Sequence, residues 1–181
     1  MDLKGKNVIL GVCGGIAAYK VCDIIRALVK LGAGIECILT AGGARFITAL
    51  TLQTLSKNRV YQSMFDEPAS WDIGHISLAK KADLIAVVPA TADIISGLAN
   101  GSADGLLSST VLATKAKVLI CPAMNSNMFL HKATQANIAA LKSYGYKFVM
   151  PESGELACGD TGQGRLACAE TIISEIVKEL S

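Results

Sequence analysis

A few short stretches of this sequence hold residues whose types and spacing can do chemistry. Gly11-Val12-Cys13-Gly14-Gly15-Ile16-Ala17 puts small residues where an apolar run meets a helical pattern, so backbone N–H groups at the helix start can meet an anion such as phosphate. The run matches neither G-x-G-x-x-G nor G-x-x-x-x-G-K-[ST], and Glu36 falls mid-strand, poorly placed to hold a ribose. A mononucleotide therefore gains over a dinucleotide or a nucleoside triphosphate. A tight turn needing positive φ explains the same glycines without any ligand.

Two further turns are led by proline: Pro89-Ala90-Thr91-Ala92-Asp93, and Pro122-Ala123-Met124-Asn125-Ser126-Asn127-Met128. Their small polar side chains suit a ligand rim, and Thr, Asp and Asn equally suit simple helix capping. In Trp71-Asp72-Ile73-Gly74-His75-Ile76 the histidine opens a short helix and can be a base, an acid or a surface cap. Cys158 lies in a glycine-rich stretch near Asp160 and Arg165, a setting that suits a reactive thiol better than those of Cys13 and Cys37 within buried strands.

The elements that must position these residues alternate along the chain. Residues 7–12 form an apolar strand, and 16–31 a helix with Val21, Ile24, Ile25, Leu28 and Leu31 on one face. A second strand spans 35–40, followed by a helix carrying Phe46, Ile47, Leu50 and Leu55. Strands at 83–88, 117–121 and 147–150 are each stopped by a proline and each preceded by helical sequence. Residues 151–168 show four glycines and no periodicity, which reads as a functional loop or lid. A last helix presents Ile172, Ile173, Ile176, Val177 and Leu180. Fully apolar strands alternating with helices predict a doubly wound α/β fold: one Rossmann-like or flavodoxin-like parallel sheet covered on both faces, in a single domain spanning 1–181. Ligands then sit beyond the carboxyl ends of the strands, where the turns above lie.

The 181 residues suit one domain, with Lys+Arg 17 against Asp+Glu 15, 18% charged and 51% hydrophobic. That balance excludes disorder and the basic field of a nucleic-acid binder. Mean hydropathy is +0.44, yet the most apolar window, 84–98, is broken by Pro89, Thr91, Asp93 and Ser96, so no membrane span is expected. The N-terminus reads as lacking a signal peptide, and the expected location is cytoplasmic. The six cysteines form no C-x-x-C and are expected as free thiols, and the separated His75 and His131 argue against a metal site. The apolar surplus has two outlets, a sheet buried on both faces and a subunit interface.

Taken together, Gly14-Gly15-Ile16-Ala17-Ala18-Tyr19-Lys20, Gly74-His75-Ile76, the two proline-led turns, and Ala157-Cys158-Gly159-Asp160-x-Gly162-x-Gly164-Arg165 resemble the homo-oligomeric flavin-containing cysteine decarboxylases. The likeness runs over about residues 5–170 in order. It implies FMN as cofactor, surrounded by Gly14, Gly15, Ile16, Thr40, Thr91, Ala92 and Asp93, with Ala123 close by, and lodged at the interface of a trimer or a dodecamer of trimers. On the same mapping His75 is the active-site base, Asn125 holds the substrate carboxylate, and Cys158 is the proton donor on a loop that closes over the substrate. Arg165 extends that grip.

The implied substrate is 4'-phosphopantothenoylcysteine, converted to 4'-phosphopantetheine in coenzyme A biosynthesis, with a separate phosphopantothenate–cysteine ligase as pathway partner. An acylated cysteine carboxylate has no electron sink of its own. Oxidation at Cβ creates a thioaldehyde whose C=S stabilises the carbanion left by CO2, and the resulting enethiol is then reduced and protonated. Phe129 stands where many relatives have tryptophan, and Asp93 where others have asparagine. Two alternatives share the resemblance: a peptidyl-cysteine decarboxylase, which stops at the enethiol and needs no final proton donor, and a flavin-binding regulatory subunit, whose long acidic or Ser-rich extensions are missing here. A flavin prenyltransferase lacks the paired Asn125 and Cys158 motifs.

Overall fold

In a computed structural model, residues 2–65, 74–157 and 159–181 are described. Strand β1 (Asn7–Val12) leads through a short 3-10 turn (Ile16–Lys20) into α1 (Val21–Lys30). Then come β2 (Gly34–Leu39), α2 (Ala49–Ser56), β3 (Val60–Tyr61), α3 (Gly74–Lys81), β4 (Leu84–Ala90), α4 (Ala92–Ala99) and α5 (Leu106–Ala113). The chain continues with β5 (Lys117–Pro122), α6 (Ser126–Leu130), α7 (Lys132–Ser143), β6 (Lys147–Phe148), β7 (Glu152–Glu155), β8 (Thr161–Arg165) and α8 (Ala169–Leu180).

The first six strands pair in parallel in the order β3-β2-β1-β4-β5-β6, the Rossmann order of a doubly wound sheet. Side-chain alternation splits each central strand between two cores. Val8, Leu10 and Val12 of β1, with Leu84, Ala86 and Val88 of β4, face a layer containing Ile24, Ile25 and Leu28 of α1 and Ile172 and Ile176 of α8. Ile9 of β1, with Ile85 and Val87 of β4 and Ile120 of β5, faces Leu78 of α3, Ile95 of α4, Leu107 of α5 and Ile138 of α7. This two-sided burial takes up much of the apolar composition. Among the described residues, no helix is long and apolar enough to cross a membrane.

The structure departs from the expected elements at five places. Pro89 does not stop β4: the strand runs on to Ala90, and the register shifts between Val87 and Ala90 opposite β5. Proline has no N–H for the ladder, and the added residue turns Ala90 to the face it shares with Val87. The expected helix over 16–31 divides into the 3-10 turn and α1. Phe46 and Ile47 precede α2, Phe46 and Leu50 are exposed, and Leu52 is the side chain that helix buries. Residues 151–168 are not structureless, because β7 and β8 pair as an antiparallel hairpin. The two-residue edge strand β3 had no separate signal in the sequence.

Candidate functional site

The strand order reverses between β1 and β4, which opens a crevice beyond their carboxyl ends. On one side lies the turn after β1. A Cβ on Gly14 would stand 2.9 Å from the Gly42 carbonyl carbon, so this turn and the one after β2 meet glycine to glycine. Thr40 locks that contact, its hydroxyl donating to the Val12 carbonyl at 3.1 Å and accepting from the Gly43 N–H at 3.1 Å. Gly15 has extended backbone, and a Cβ there would meet no atom within 4 Å, so the turn presents bare backbone to open space.

The turns after β4 and β5 form the opposite wall. Thr91 caps α4, its hydroxyl accepting from the Ile94 N–H at 3.3 Å, and Ala123 N–H donates to the Ala90 carbonyl at 3.0 Å, which ties the two turns together. Asn125 caps α6 through Oδ1, which accepts from the Asn127 N–H at 2.9 Å. The donating end of that side chain is a different group, Nδ2, suited to a carboxylate.

The β7–β8 hairpin covers this wall. Met124 N–H donates to the Gly164 carbonyl at 3.0 Å. Gly164 has φ +150°, and a Cβ there would collide with the Met124 carbonyl oxygen, so only glycine allows the hairpin to lie this close to the Asn125 turn. A Cβ on Gly162 would collide with the Ser126 hydroxyl in the same way. Arg165, the last residue of β8, runs across Gly154, its guanidinium 3.3 Å from where a Cβ would stand.

These walls enclose a cavity of about 670 Å³, within the ~300–1,000 Å³ typical of small-molecule sites. Gly14, Gly15, Ile16, Thr91, Ala92, Ala123, Asn125 and Arg165 all line it. Thr40 and Asp93 do not: Thr40 braces the turn from outside, and Asp93 points from the first turn of α4 to solvent. Tyr19, Lys20, Met128, Glu155 and Leu156 also line it and carried no assignment from sequence. The first two had a legible signal, since Ile16, Tyr19 and Lys20 are spaced i, i+3, i+4 and so share a helical face. Lys20 and Arg165 supply positive charge and Glu155 one negative charge, while most of the wall is apolar.

The thiol beside the glycine turn is inert. Burial pushes Cys13 up to about 12, opposed by a hydrogen bond involving the Thr91 backbone and reinforced by the charge of Asp93. His75 is not brought to this cavity within the chain. It lies near the start of α3 and lines a separate, smaller cavity of about 250 Å³ with Ala103, Ser109, Leu112 and Ala113. Trp71, Asp72, Ile73 and Cys158 lie outside the described residues, and Ala157 beside Cys158 lines the large cavity.

A family model described as Flavoprotein matches residues 1–181. The chain belongs to that flavoprotein family. It is 45% identical over 177 residues to a probable phosphopantothenoylcysteine decarboxylase of Streptococcus mutans, covering 97% of this chain and 99% of that protein. It is also 45% identical to the coenzyme A biosynthesis bifunctional protein CoaBC of Haemophilus influenzae, covering 97% of this chain but 44% of that protein. The chain thus spans less than half the length of its bifunctional relatives. Among solved structures, a PPC decarboxylase mutant complexed with pantothenoylaminoethenethiol superposes with a TM-score of 0.86 at 26% identity, covering 96% of this chain and 97% of that one. The FMN-binding protein AtHal3 superposes with a TM-score of 0.83 at 26% identity, covering 97% and 96%.

Proposed function

We propose that this protein decarboxylates 4'-phosphopantothenoylcysteine to 4'-phosphopantetheine with FMN, in coenzyme A biosynthesis. The observation that carries the reading is the convergence of the glycine turn, the Asn125 turn and the Arg165 hairpin on one cavity. The residues present fit a flavin mononucleotide: open backbone at Gly15, in the turn packed through Gly14, for the phosphate, and a mostly apolar wall for a planar ring. Held there, FMN would supply reversible hydride chemistry, and with it the electron sink that the substrate lacks.

The chain's own groups do the rest. Asn125 orients the substrate carboxylate through Nδ2, a neutral donor that does not hold the negative charge as an ion pair would, so CO2 departs without losing a salt bridge. Arg165 and the hairpin of residues 151–168 cover the substrate and exclude water from the reacting carbon. Cys158 donates the proton that makes the product saturated, which favours this reading over a peptidyl-cysteine decarboxylase that stops at the enethiol. His75 is the base that takes the thiol proton as the cysteine is oxidised. Because His75 lies outside the large cavity of its own chain, we assign it to the cavity of a neighbouring subunit in a homotrimer or a dodecamer of trimers, with FMN between them. Leu112, exposed beside His75, gives that contact an apolar surface. A phosphopantothenate–cysteine ligase activity supplies the substrate, and the setting is cytoplasmic.

The test is reconstitution with FMN and incubation with 4'-phosphopantothenoylcysteine. A yellow oligomer that releases CO2 is expected, and failure to bind FMN defeats the reading.

A further inference from the structure

Among the described residues, Glu36 is the one charged residue that is buried, at 9% exposure. It stands mid-strand in β2 on the face that carries Ile38, beneath the layer containing Leu78 of α3. Its Oε1 accepts from the Lys81 ammonium, and its Oε2 is buried beside Tyr61, whose phenol also interacts with the carboxylate through its side chain. Tyr61 is near enough that the carboxylate's charge adds to the upward push burial gives its phenol. A buried carboxylate paired with a half-exposed ammonium is weak evidence for stability, since the cost of desolvating the carboxylate offsets much of the attraction. Fixing a register is the better-attested use of such a pair.

What the pair fixes is α3. Eight residues are too few for a helix to hold itself, so its orientation comes from its anchors. Those anchors lie in its second half: Leu78 and Ala79 are buried, the Thr114 hydroxyl donates to the Ala79 carbonyl at 3.1 Å, and Lys81 is held by Glu36. His75 lies six residues upstream, about 9 Å along the axis at ~1.5 Å per residue. A tilt of about 10° at the anchored end displaces His75 by roughly 1.5 Å, and misplacements of about 1 Å can cost ~100-fold in rate.

We propose that Glu36 is a positioning residue for the reaction: by clamping Lys81 it sets the tilt of α3 and so the place of His75. This rests on the reading of His75 as the base. The test compares wild type with Glu36→Gln, Lys81→Met, Lys81→Arg and the Glu36→Gln/Lys81→Met double variant, all FMN-loaded. Glu36→Gln and Lys81→Met should each lower kcat for CO2 release by about tenfold to a hundredfold, with KM and FMN affinity within about twofold. Lys81→Arg should restore kcat, and the double variant should be no worse than the worse single one. In each variant that loses rate, the NMR titration of the His75 imidazole should move. Lys81 is half exposed, so Lys81→Met serves if Glu36→Gln does not fold. Unchanged kcat and an unchanged His75 titration in Lys81→Met overturn the proposal. If wild type binds FMN but releases no CO2, the functional reading fails, and the His75 titration alone decides whether the clamp positions the imidazole.

Discussion

Cys13, Cys37 and Cys121 are buried in the two cores that flank the sheet, and burial is the largest influence on each. From the ordinary 9.0, Cys13 and Cys37 are pushed up to about 12, and Cys121 is pushed up further. These folded-state values lie above the unfolded one, so the unfolded chain loses its thiol protons first. The stabilisation is therefore complete below pH 9 and is lost as pH rises from 9 toward 12. At pH 10 an unfolded thiol is about nine-tenths ionised, which favours unfolding by roughly 1.4 kcal/mol, or about 4 kcal/mol for three. That is a large fraction of a typical ~5–15 kcal/mol stability. Urea unfolding in reductant at pH 8 and pH 10 measures it, for wild type, Cys121→Ala and the Cys13→Ala/Cys37→Ala/Cys121→Ala variant. The cavity cost of each alanine is the same at both pH values and cancels in the difference. Each alanine should shrink the loss between pH 8 and pH 10 by about 1.4 kcal/mol. A triple variant whose loss matches wild type would refute the premise that these thiols stay protonated in the fold.

Gly164→Ala should push the hairpin off the Met124–Asn125 turn, since the added Cβ meets the Met124 carbonyl at a φ that favours glycine; we expect KM to rise at least tenfold with FMN absorbance retained. Asn125→Asp places a carboxylate against the substrate carboxylate, and CO2 release should fall by about 100-fold or more while the protein stays yellow, as read by stopped-flow flavin reduction. If His75 serves a neighbour's cavity, Asn125→Asp and His75→Asn subunits mixed and reassembled should recover activity that neither has alone. Recovery no greater than in each variant reassembled with itself would place His75 in its own chain's site. Thr91→Ala removes the α4 cap and should cost about 1 kcal/mol by thermal unfolding.

The sheet was legible because its strands are buried on both faces and read as unbroken apolar runs; β1, for example, spans the expected residues. The course of β4 was not, because proline ordinarily ends a strand and only the tertiary register with β5 carries the chain past Pro89. The hairpin escaped notice because Glu152–Glu155 and Thr161–Arg165 are polar and glycine-rich and lack strand alternation. Its place is set by the close approach of Gly162 and Gly164 to the Asn125 turn. The glycine turn and the turns that carry Thr91, Ala123 and Asn125 drew notice because doubly wound sheets put ligands beyond their strand ends, and these residues line the cavity; Arg165 was named from the family resemblance alone. Thr40 has the spacing of a site residue, but its hydroxyl is engaged with Val12 and Gly43. The separation of His75 from the cavity has no sequence signal, since spacing along the chain does not say which face of a fold a short helix presents. Lys81 pairing with Glu36 was equally hidden, although a carboxylate in an apolar strand needs a partner.

The product formed from 4'-phosphopantothenoylcysteine by the FMN-loaded protein, measured by mass spectrometry, decides between the two decarboxylase chemistries. Loss of CO2 alone, giving saturated 4'-phosphopantetheine with the flavin oxidised at the end of turnover, is the expected result. A product that has lost CO2 and two further hydrogens, leaving the flavin reduced, would contradict it and assign the chain to chemistry that stops at the enethiol.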